Sequence, residues 1–104
     1  MRVLLLVRCL LLLMLAQPAF AGTLLVVGDS ISAGFGLDTQ QGWVDLLDER
    51  LKQQDIDLEV VNASISGDTS SGGLARLPAL LAEHQPSLVI IELGGNDGLR
   101  GQPT

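Results

Sequence analysis

Three short strand candidates, each followed by a cluster of Gly, Ser, Asp or Asn, constrain this chain more than anything else in it. They are Thr23–Val27, followed by Gly28-Asp29-Ser30; Asp57–Val61, followed by the polar stretch Asn62–Ser71; and Ser87–Leu93, followed by Gly94-Gly95-Asn96-Asp97-Gly98. Thr23–Val27 is an unbroken apolar run, the pattern of a strand covered on both faces. Between the runs lie two stretches with helical spacing. Over Gly42–Gln54, Trp43, Val44, Leu46, Leu47 and Leu51 fall on one side and Asp45, Asp48, Glu49, Arg50 and Lys52 on the other. Over Gly72–His84, Leu74, Leu77, Leu80 and Leu81 share a face, and Pro78 inside the stretch predicts a kink or a late start. Ser30–Thr39 reads as a Gly- and Ser-rich loop, and Gly94–Gly98 as a closing turn.

The order β-α-β-α-β predicts a parallel sheet with helices on both faces. With right-handed crossovers and a flavodoxin-like strand order 2-1-3, the turns after the first and third runs flank the topological switch point. The loop carrying Gly67 opens on the same edge. Ser30 and Asn96 are therefore placed where open α/β sheets bind ligands.

The amino terminus is of another kind. Met1-Arg2 and Arg8 are basic, Cys9–Leu15 is continuously apolar, and Ala19-Phe20-Ala21 has the small-x-small form of a signal-peptidase site. Met1–Ala21 reads as a cleaved secretory signal, too short in its apolar run to span a bilayer, and residues 22–104 as the mature domain. This implies a periplasmic or secreted protein with no stable membrane anchor after cleavage. Cys9, the only cysteine, leaves with the signal, so no disulfide or thiolate chemistry remains. Losing Arg2 and Arg8 leaves four basic against twelve acidic residues, a net charge of −8. Such a chain repels a phosphate backbone, which argues against nucleic acid as a partner. About 83 of the 104 residues remain, few for an α/β domain, and the chain stops directly after its third polar turn; both point to a fragment.

Ser30 offers a hydroxyl and its own backbone N–H. Gly67 offers a backbone that can approach a substrate with no Cβ in the way, and Asn96 a neutral NH₂ donor. Each has a plainer reading: Ser30 as a cap, Gly67 and Asn96-Asp97-Gly98 as turn residues. Asp29 is expected to order the loop through backbone hydrogen bonds. Asp29, Asp68 and Asp97 do not have the spacing of a cation loop, so no metal and no cofactor is called for.

Taken together, Gly28-Asp29-Ser30-Ile31-Ser32, Ser66-Gly67-Asp68 and Gly94-Gly95-Asn96-Asp97 resemble the first three sequence blocks of the GDSL, or SGNH, hydrolases. Val61–Ser70, Gly73–Pro78 and Glu92–Gly101 are similar to the bacterial periplasmic thioesterase, lysophospholipase and arylesterase branch. The resemblance implies the amino-terminal part of a flavodoxin-like, three-layer αβα fold. It implies Ser30 as nucleophile, Gly67 and Asn96 as the oxyanion hole, a small ester or thioester as substrate, and a monomer when full length. Ile31 replaces the usual leucine. The family's base, an Asp-x-x-His near the carboxyl terminus, has no counterpart here. The sole histidine, His84, falls at the end of the second helix, at the opposite edge of the sheet. The 104 residues alone are thus expected to be hydrolytically inert or nearly so.

Other readings compete with this one. A phosphate or flavin binder fits poorly, because Asp29 would set a carboxylate against the phosphate and Gly34-Phe35-Gly36 lacks a third glycine. An α/β-hydrolase would need Gly-x-Ser-x-Gly. A non-catalytic exported α/β module is the remaining alternative. In each case the third strand is an unpaired apolar edge, which predicts self-association.

Overall fold

The computed structural model describes residues 21–103. The expected secretory signal, apart from Ala21, lies outside the described residues. The elements are β1 (Gly22–Gly28), α1 (Ser30–Ala33), α2 (Trp43–Gln53), β2 (Leu58–Asn62), α3 (Ser70–His84), β3 (Leu88–Glu92) and α4 (Gly95–Leu99). The sheet is parallel in the order β2-β1-β3, as the alternation predicts. β1 is the central strand, with Leu25 level with Val61 on one side and Val89 on the other.

Alternation along β1 sends Leu24 and Val26 to one face and Leu25 and Val27 to the other. Leu24 and Val26 are buried against Val44 of α2, with Trp43, Leu47, Leu51, Leu58, Val60 and Ile90 packed around them. Each fully buried aliphatic side chain contributes about 1.5–3 kcal/mol, which makes this cluster the main stabilising core. On the opposite face α3 lies over β1. No helix among the described residues is long and apolar enough to cross a membrane.

Four local expectations are corrected. Ser30–Thr39 is not loop throughout, because Ser30–Ala33 forms the short helix α1. Asp29 Oδ1 accepts the Ile31 N–H at 3.0 Å, and Gly34 closes the turn at φ 79°. The Asn62–Ser71 loop gives its last two residues to α3, since Thr69 caps the helix by accepting the Gly72 N–H at 3.1 Å. With its start set there, α3 runs through Pro78, which removes one internal N–H donor without ending the helix. The turn after β3 is helical too, as α4.

The two helical faces are less buried than their spacing implies. Leu46, Leu74 and Leu81 are exposed, and Trp43 is half-buried, with its indole nitrogen used in a hydrogen bond. Periodicity identifies the side of a helix that can be covered, and the neighbours present decide how much of it is.

Candidate functional site

All three strands are parallel, so their carboxyl ends lie at one edge, and the three polar turns meet there. The register sets Gly28 level with Glu92 and Val26 level with Asn62. The loop after β2 then folds back onto β1. The Ala63 N–H donates to the Val26 carbonyl at 2.8 Å and the Ile65 N–H to the Gly28 carbonyl at 3.0 Å. Those bonds carry the segment with Gly67 to the end of the central strand.

Ser30 is the first residue of α1, half-buried, immediately after the buried Asp29. Gly67 and Gly94 have φ of 83° and 120°, backbone that an L side chain rarely adopts, so glycine is required at both bends. The Gly67 carbonyl accepts from Arg100 Nη2 at 2.9 Å. Asn96 is the second residue of α4, and its side chain joins the turns. Nδ2 donates to the Asp68 carbonyl at 2.9 Å and stands 3.5 Å from Asp29 Oδ2. The structure thus brings Asn96 against Asp29 and against the residue that follows Gly67. His84 is at the last turn of α3, where the chain leads into the start of β3. Its nearest charged neighbour is Glu83, at 3.8 Å.

Two further carboxylates fasten the same edge. Asp68 Oδ2 takes two hydrogen bonds from Arg76, at 3.1 and 2.7 Å, while Arg76 Nη1 donates to the Ala63 carbonyl at 2.8 Å. The loop after β2 is therefore clamped to the second turn of α3. Asp97, 1% exposed, accepts the Ser70 N–H at 2.8 Å and a hydrogen bond from the Ser70 hydroxyl. These bonds, the hydroxyl's foremost, hold the Asp97 carboxyl below its ordinary range; burial opposes the shift, and Arg100 assists it. One carboxylate thus ties the first turn of α4, and with it Asn96, to the first residue of α3.

Sequence reasoning did not single out Ser32, Ser70, Arg76, Glu92 or Arg100. Glu92 carried a usable signal, as an acidic residue closing an apolar run two positions before Gly94. The others look like ordinary loop or helix-surface residues, and only the fold shows which partners they meet. Beside the edge, an apolar groove of about 280 Å³ runs between α3 and β3, lined by Val27, Ser70, Gly73, Leu77, Ile91 and Leu93 among others.

The chain is similar to known proteins along most of its length. It is 72% identical over 101 residues to Esterase TesA of Pseudomonas aeruginosa, covering 97% of this chain and 50% of that protein. It is 55% identical over 91 residues to Thioesterase 1/protease 1/lysophospholipase L1 of Escherichia coli strain K12, covering 88% of this chain and 42% of that protein. The crystal structure of TesA superposes with a TM-score of 0.76 at 75% identity, covering 78% of this chain and 45% of that one. The chain therefore spans about half the length of the curated relatives it matches. Residues 26–104, from the buried centre of β1 through all three polar turns, match the profile of the GDSL-like lipase/acylhydrolase family, and to that family this chain belongs.

Proposed function

We propose that the chain is the amino-terminal part of a serine carboxylic-ester hydrolase that works through an acyl-enzyme on Ser30. The Ser30 hydroxyl attacks the acyl carbon of an ester or thioester, and its proton passes to a base. The oxyanion accepts hydrogen bonds from the Ser30 and Gly67 N–H groups and from Asn96 Nδ2. The alcohol or thiol departs, and water then hydrolyses the acyl-serine. Asp29 orders the Ser30 turn. The base, an Asp-x-x-His, belongs to the protein beyond these 104 residues. The same reading takes Met1–Ala21 as a secretory signal, the periplasm or exterior as location, and a monomer as the whole protein's state. Thioesters, aryl esters and lysophospholipids are the candidate substrates, in keeping with the names of the relatives.

The observation that carries this is the double reach of Asn96 Nδ2, to the carbonyl of Asp68 and towards the carboxylate of Asp29. A neutral donor from the third turn lies between the residues adjoining Gly67 and Ser30. The test joins residues 1–104 to the carboxyl-terminal half of the Pseudomonas aeruginosa relative and follows p-nitrophenyl ester cleavage. Turnover is expected, with Ser30→Ala lowering kcat by ~10⁴-fold or more. Asn96→Ala is expected to cost ~10²–10³-fold. The 104 residues alone should stay near background. A chimera that turns over equally well without the Ser30 hydroxyl would refute the assignment.

A further inference from the structure

Ser30 lies between two residues held by a single oxygen atom. Glu92, the last residue of β3, directs Oε1 beneath the turn, where it accepts from the Ser32 hydroxyl at 2.7 Å and faces the Asp29 N–H at 3.4 Å. The Ser32 hydroxyl also accepts from Trp43 Nε1 at 3.0 Å. An indole N–H can only donate and an ionised carboxylate can only accept, so the direction of the chain is fixed: Trp43 to Ser32 to Glu92. The Ser32 carbonyl takes a further bond, from Asn62 Nδ2 at 2.8 Å. Asp29 and Ser32 are both buried, at 3% and 2% exposure, while Glu92 and Trp43 are half-buried, so these bonds are partly shielded from competing water. The arrangement needs room that Gly28 supplies. A Cβ there would fall 2.5 Å from Ser32 Oγ and 3.0 Å from Glu92 Oε1. The Ser32 side chain, with the Glu92 carboxylate behind it, occupies the space of an absent side chain.

We propose that Glu92 is a positioning residue for Ser30, bracing its turn from both sides through the Asp29 amide and the Ser32 hydroxyl, with Trp43 locking the far end. The proposal rests on the reading of Ser30 as nucleophile. Glu92 touches neither substrate nor reacting atoms. It holds the strand-to-helix corner so that the Ser30 side chain keeps one direction relative to Asn96, which follows Glu92 by four residues on the same stretch of chain.

Trp43 is the only tryptophan, so every indole signal comes from the residue that closes the far end of the brace. In the 104-residue chain, Glu92→Ala should speed hydrogen exchange at the Asp29 amide and the Trp43 indole by ~tenfold and shift the Trp43 emission. Glu92→Gln keeps an acceptor oxygen and should restore both to within about threefold. In the chimera described above, Glu92→Ala should lower kcat by ~10-fold or more with KM within about twofold, and Glu92→Gln should recover most of kcat. Unchanged kcat in Glu92→Ala, or a Glu92→Gln variant as impaired as Glu92→Ala, would overturn the proposal. Should the unsubstituted chimera show no turnover, the reading of Ser30 fails and the positioning role falls with it. The exchange measurements then still report whether the brace exists as a feature of the fold, so the two failures are told apart.

Discussion

β1 and β3 lie side by side in one parallel sheet, and both are aliphatic at their centres, yet they live in different environments. In β1, Leu24 through Val27 are all at or below 5% exposure. In β3, Leu88, Val89 and Ile91 are all exposed, Ile91 at 58%, and only Ile90 packs against the core. The difference is one of neighbours. β1 has a strand on each side, α2 over one face and α3 over the other. Among the described residues β3 has one strand beside it, and Ile91 opens into the groove beside α3. An apolar run states what a strand can bury, and position in the sheet decides whether it does.

The sharpest test of that contrast is a pair of truncations. Leu25→Ala, at a site with 0% exposure, should cost about 2–5 kcal/mol in urea unfolding. Ile91→Ala should cost no more than about 0.5 kcal/mol. Similar losses at the two sites would break the comparison. α3 owes its start to Thr69, so Thr69→Ala should lower stability by about 1 kcal/mol in the same assay and loosen exchange at Val27 beneath the helix before that at β3.

Asp97 secures the same helix end with a pH signature. Its carboxyl is lowered by Ser70, so the folded state binds that proton more weakly than the unfolded chain does. The contribution is complete above the ordinary value of 3.8 and is lost as pH falls through the lower folded value. Asp97→Asn should therefore flatten the acid limb of the stability curve below about pH 4, with a smaller change in its slope near neutrality. The smallest effect on stability belongs to Ile91→Lys, expected within about 0.5 kcal/mol of the parent. That charge should nonetheless reduce concentration-dependent association in sedimentation velocity, if the open face of β3 and its free edge are where copies meet.

At their carboxyl ends the two strands cooperate. Gly28 leaves room for the Ser32 side chain, Glu92 accepts its hydroxyl, and the turn bearing Ser30 is held by a residue from the strand with the poorer cover. Part of this was legible beforehand. The three polar turns, their shared edge, and Ser30, Gly67 and Asn96 as members of it follow from alternating element types and right-handed crossovers, which leave few topologies open. The helical character of Ser30–Ala33 and Gly95–Leu99 was not. Elements of four and five residues are too short to show a period; the Asp29 cap supports the first, and Gly95–Leu99 has no side-chain cap at its start.

The element types and the three polar turns were determined by the sequence itself, because hydrophobic period and glycine placement are local properties that survive without a partner; the resemblance of the three motif blocks pointed to the family. The choice of which leucines are buried, and the pairings of Glu92 with Ser32, Asp97 with Ser70 and Arg76 with Asp68, belonged to the tertiary structure. Those bonds join residues between 8 and 60 positions apart, and no local pattern encodes a partner that only folding brings within reach.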